Sequence, residues 1–129
     1  MLSKEERQKR FGLTEHTMLM FYERGIKENL FPHCLRSSEV WKEFVLAFRD
    51  ETKSVIVPDA REDADSTHIC IFINEGNKVV AIPVKVTNNH IHVYTIKDVM
   101  RDDKPYWYIS NYNKIAKQRK MPLIQPVVT

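Results

Sequence analysis

A chain of 129 residues, 43% hydrophobic and 29% charged, has the size and composition of one globular domain, which excludes a disordered polymer and a collagen-like repeat. Three glycines leave no glycine-rich phosphate loop, no apolar run approaches the ~18 residues of a membrane span, and MLSKEERQKR lacks the apolar core of a secretory signal, so a cytoplasmic protein is expected. The net charge of +3 is modest, but residues 104–129 hold five Lys or Arg and no Asp or Glu.

In chain order, residues 3–10 are charged and helix-favouring, and Gly12-Leu13-Thr14 reads as one helix ending and a second being capped at Thr14. The second helix, near residues 15–24, carries His16, Met20, Glu23 and Arg24 on one side and Leu19, Tyr22 and Ile26 on another, and Gly25 marks its end. Beyond Pro32, Ser37 or Ser38 caps a third helix running to about Asp50. Its broad apolar stripe is Val40, Trp41, Phe44, Val45 and Phe48.

From Lys53 the pattern alternates. SVIVPD, THICIFI, KVVAIPVKV and HIHVYTI are β-branched and aromatic runs separated by turn residues, with NEGN and TNNH as hairpin signals. Residues 59–66, with four acids, form a solvated loop between the first two runs; PYWYI at 105–109 is a further strand, and NYNKIAKQRK a short basic helix. The expected fold is α+β, with N-terminal helices packed on one face of a four- to five-stranded antiparallel β-meander. It forms a single domain, 1–129: a helical part (1–52), a sheet (53–109) and a basic C-terminal segment (110–129).

Two-residue hairpins at Asn88-Asn89 and Glu75-Gly76 pair Lys85 with His92, Val84 with Val93, Pro83 with Tyr94, Phe72 with Val79 and His68 with Pro83. One face then carries Ile69, Ile71, Val80, Ile82, Val84, Val86, Ile91 and Val93, for the third helix to cover. The other gathers His68, Lys85, Thr87, His90, His92 and Tyr94 at one end. Those side chains supply a base, an acid and a cation for phosphodiester chemistry, or are the ordinary polar side of a half-exposed sheet. Pro83 cannot donate to a ladder, so a bulge or an edge is expected there. His90-x-His92 places two imidazoles on one side of a strand, with His68 as a third metal ligand to consider, but no carboxylate accompanies them, and no metal or cofactor is expected. Cys34 and Cys70, with no CxxC partner or zinc-finger spacing, read as buried reduced thiols.

The segment HTMLMFYERGI, His16 to Ile26, resembles the H-x3-R-x3-R-G-I helix of a group of small prokaryotic proteins similar to RelE-type ribonucleases of the barnase, EndoU, colicin and RelE superfamily. Met20 stands at the position of the first arginine. Helices before a four-stranded antiparallel sheet is that superfamily's order, and HIHVYTI resembles its penultimate strand. The resemblance implies RNA on the sheet face away from the helices, cleavage through the ribose 2′-hydroxyl, and roles for His16 and Arg24. Without it, His16 steadies a first helical turn and Arg24 suits a helix C-terminus.

The C-terminal third suits nucleic acid on its own composition. Tyr106, Trp107, Tyr108 and Tyr112 can stack on unpaired bases while Lys104, Lys114, Lys117, Arg119 and Lys120 neutralise phosphates, or alternate aromatics pack in a core beside a solvated lysine face. The expected function is RNA binding, with metal-independent endoribonuclease chemistry of RelE-like toxin type at His68, Lys85, His92 and Tyr94. The alternative is a non-catalytic protein-binding inhibitor or accessory factor of a mobile element. RNA is the expected partner, a protein the other, and a membrane neither.

Overall fold

Thr14 does cap the first α-helix: its hydroxyl accepts the Thr17 N–H at 3.3 Å, and α1 spans Glu15–Tyr22. The computed structural model describes residues 2–125 and joins three α-helices to a six-stranded, mostly antiparallel sheet that does not close. The strands are β1 (Arg10–Leu13), β2 (Ser54–Pro58), β3 (His68–Ile73), β4 (Val79–Val86), β5 (His90–Val93) and β6 (Lys97–Asp98); the other helices are α2 (Ser37–Arg49) and α3 (Pro105–Gln118). Their order across the sheet is β1-β5-β4-β3-β2, with β6 also on β4 and β1 parallel to β5.

Two elements differ most from the sequence expectation. The first is β1: the expected opening helix is only a 3-10 turn at Glu6–Gln8, and residues 10–13 pair with β5, because Phe11 buries its ring against Trp41, Phe44 and Phe48 at 5.3–5.6 Å. The second is PYWYI, which is the start of α3 and not a strand. Pro105 sits in the first turn, where its missing N–H costs nothing, and Tyr108, Ile109, Tyr112 and Ala116 recur at helical spacing on the buried side.

The β4–β5 register is as expected, with Lys85 opposite His92 and Val84 opposite Val93. The β3–β4 register is one residue off. Asn77 takes a left-handed conformation (φ 60°), its N–H donates to the Asn74 carbonyl, and the hairpin has three loop residues in place of two. Ile71 therefore pairs with Ala81, Phe72 with Val80 and His68 with Val84. A one-residue slip exchanges faces. Cys70 and Phe72 turn toward α1 and α2 with Val80, Ile82, Val84, Ile91 and Val93, whereas Ile69 and Ile71 join Val55, Val57, Val79 and Ala81 under α3.

Helices thus lie on both faces. On the first, Val40, Phe44 and Phe48 of α2 are fully buried and Phe21 of α1 joins them, while Trp41 stays partly exposed. Of the side chains placed with Ile26 on one side of this helix, Leu19 and Tyr22 are exposed. Gly25 does not end the helix: it lies buried in a π-turn, Glu23–Lys27, where a Cβ would meet both Val40 methyls at 3.2 Å. Arg7, 2% exposed, donates to the Phe48 carbonyl at 3.1 Å and the Ser54 hydroxyl at 2.9 Å, and so sits at the negative end of the α2 dipole. Among the described residues, no helix is long and apolar enough to cross a membrane.

Candidate functional site

Among the described residues, the second face of the sheet is only half covered. α3 packs over β2 and β3, and the part formed by β1, β5 and the end of β4 stays open. Paired residues share a face, so the registers bring Arg10 beside His90, Gly12 beside His92, and His92 beside Lys85. Tyr94 follows on the same side, its ring edge-on to His92 at 4.6 Å. Lys85 and Arg10 are exposed, and His90, His92 and Tyr94 are half-buried. The glycine at position 12 leaves room for the imidazoles: a Cβ there would lie 3.3 Å from the His90 ring.

The turn that presents these groups is held locally. The Thr87 hydroxyl accepts the N–H groups of Asn89 and His90 and lies 3.0 Å from His90 Nδ1, while Lys9 Nζ donates to the Thr87 carbonyl at 2.8 Å. Pro83 accepts from the Tyr94 N–H at 3.2 Å and has no N–H to return, so the ladder breaks there; β5 ends at Val93, and β6 resumes the pairing at Val80 and Ala81.

The acidic loop borders this face. A groove of 460 Å³ runs between Arg61, Asp65 and Ser66 on one side and Pro83, Tyr94 and Thr95 on the other. Burial, aided by the Asp65 carboxylate, raises the Tyr94 pKa and keeps the phenol protonated. Asp59 anchors the loop. Burial alone would raise its pKa, but hydrogen bonds from Arg61 and Ser66 outweigh it and hold the carboxyl at about 2. A larger cleft, 600 Å³ between Leu46, Phe72, Tyr112 and Ile124, holds none of the site's residues.

His68 is not part of the set. Opposite Val84, it faces the α1–α2 side, and burial lowers its pKa. Nor do His16 and Arg24 join it, since both belong to the helix layer on the other side. His16 is exposed, and Arg24 Nη1 donates to the Ile96 carbonyl at 2.6 Å and the Thr95 hydroxyl at 3.3 Å. Thr17, one residue after His16, donates to the Val93 carbonyl at 2.8 Å. Thr17 and Arg24, two helical turns apart, thereby dock this helix along residues 93–96.

The C-terminal aromatics divide as well. Tyr108 and Tyr112 are core residues, and the Tyr112 hydroxyl donates to the Pro122 carbonyl at 3.0 Å; a base cannot stack on them. Tyr106 is exposed and Trp107 partly so. Lys104, Lys114, Lys117 and Lys120 are exposed, and Arg119 donates to the Glu51 carbonyl. Sequence reading missed Arg10 and Gly12, because a four-residue strand with one core aromatic leaves no periodic signal. No family model, no curated protein and no solved structure matches the chain.

Proposed function

We propose that this protein binds single-stranded RNA in the cytoplasm on the open half of the sheet. The observation that carries the reading is the convergence of Arg10, Lys85, His90, His92 and Tyr94 on one uncovered face. Cations beside aromatic and imidazole rings suit phosphates and unstacked bases at once. The RelE-like reading, with RNA on the face away from the N-terminal helices, fits this half alone, because α3 occupies the rest. Lys114 and Lys117 of α3 and Lys120 just beyond its end are exposed and offer further cations for phosphates. His92, its ring edge-on to the Tyr94 ring and its strand position directly opposite Lys85, is the group for proton transfer without a metal.

Binding of a labelled single-stranded RNA, followed by fluorescence anisotropy across a salt series, tests the proposal. Arg10→Gln with Lys85→Gln should flatten the slope of log K against log salt by about 1.4, or ~0.7 for each phosphate no longer neutralised. An unchanged slope would remove this face from the account. The same comparison for Lys114, Lys117 and Lys120 changed to Gln decides whether α3 takes part.

A second reading rests on a different observation. Met18, Leu19 and Tyr22 of α1 are 58%, 51% and 45% exposed, and an apolar patch of this kind suits a protein partner, such as the target of an inhibitor or accessory factor. That complex would change little with salt and would survive the Arg10 and Lys85 changes.

A further inference from the structure

Away from the open face, His33, Cys34 and Glu43 bring a ring nitrogen, a thiol sulfur and a carboxylate oxygen within 4.8 Å of one another. We propose that these three side chains form a zinc site, with water completing a tetrahedral shell. Nitrogen, sulfur and oxygen donors together are the set that Zn²⁺ takes, and three protein ligands with one open position is an established arrangement for it. At ordinary zinc–ligand lengths the donors of a tetrahedral site lie roughly 3–4 Å apart, so the cluster needs only a small adjustment.

Each ligand is already positioned by its neighbours. His33 Nε2 and Glu43 Oε1 face each other in a hydrogen bond, so both donor atoms already point at the same space. The other Glu43 oxygen accepts the Glu75 N–H at 3.0 Å. The His33 ring lies against Gly76, where a Cβ would come within 2.9 Å of Nδ1, and the Cys34 N–H donates to the Phe31 carbonyl at 3.0 Å. Support of this kind from outside the ligand set orients metal ligands. His33 and Glu43 side chains are 27% and 15% exposed, which leaves an entry path.

The electrostatics favour a dication. The Glu43, Glu39 and Glu75 carboxylates lie around the Cys34 thiol and place negative charge beside the donor atoms. That anionic surround favours a bound dication such as Zn²⁺. Binding displaces the thiol proton of Cys34, so affinity rises with pH.

The test uses the full chain, stripped with chelator, then titrated with Zn²⁺ by calorimetry and with Co²⁺ by absorbance. One equivalent should bind, and the cobalt form should show a thiolate-to-cobalt charge-transfer band with strong tetrahedral visible bands. Cys34→Ser should abolish the charge-transfer band. It and Glu43→Gln should each weaken zinc by more than ~10-fold, since loss of even an outer partner of a ligand costs ~10–100-fold. Circular dichroism verifies that each variant is folded. His92→Ala should leave zinc binding unchanged. No stoichiometric zinc binding, a cobalt spectrum without the thiolate band, or binding that survives Cys34→Ser and disappears in His92→Ala would each overturn the site.

Discussion

Replacing Phe44 by Ala should lower the free energy of unfolding by about 3–5 kcal/mol. The side chain is 0% exposed and packs against the rings of Phe11, Phe21, Trp41 and Phe48 at centroid distances of 5.4–5.9 Å. Those rings come from β1, α1 and α2, so no single backbone shift closes the space left behind, and a cavity that cannot collapse gives the upper end of the range. Urea denaturation, followed by tryptophan fluorescence and circular dichroism, measures the loss. A change below about 1 kcal/mol would show that α2 does not seal this face of the sheet.

The second large effect concerns chemistry on the open face. Cleavage by the ribose 2′-hydroxyl needs one group to take its proton and another to protonate the leaving oxygen. His92 is the one histidine of the face whose ring packs on the Tyr94 phenol and lies directly opposite a lysine. In single-turnover cleavage of a generic single-stranded RNA with chelator present, His92→Ala should lower the chemical rate ~10²–10⁴-fold with affinity nearly intact, because proton transfer acts in the transition state. His68→Ala should leave the rate unchanged, since the three-residue hairpin turns His68 to the opposite face. An equal loss in both variants would contradict that division. RNA that is bound but left intact by the unmutated protein would confine the function to binding.

The contrast between His68 and His92 marks how far the sequence could be read. Asn88-Asn89 is a two-residue turn by composition and proved to be one, so Lys85 met His92 as expected. NEGN offered a glycine at the tip, but Asn77 takes the left-handed position, and the extra loop residue inverted β3. Both β3 faces are apolar, so alternation carried no warning: Ile69 and Ile71 fill one core as readily as Cys70 and Phe72 fill the other. α2 was plain from its stripe of Val40, Trp41, Phe44 and Phe48. α3 was not, because Tyr-Trp-Tyr-Ile is a β-favouring string that becomes helical only where its buried side meets the sheet. Glu43 follows His33 and Cys34 by about ten residues on a different element, so that cluster exists only in three dimensions.

The most direct measurement of the central claim is an NMR titration of the ¹⁵N-labelled protein with a short single-stranded RNA at low salt. Binding on the open half should shift the amides of β1, β5 and the end of β4, around Gly12, Lys85, His92 and Tyr94, and leave those of α1 near Met18 and Leu19 in place. Shifts confined to the α1 surface, or no shifts at any RNA concentration, would contradict it.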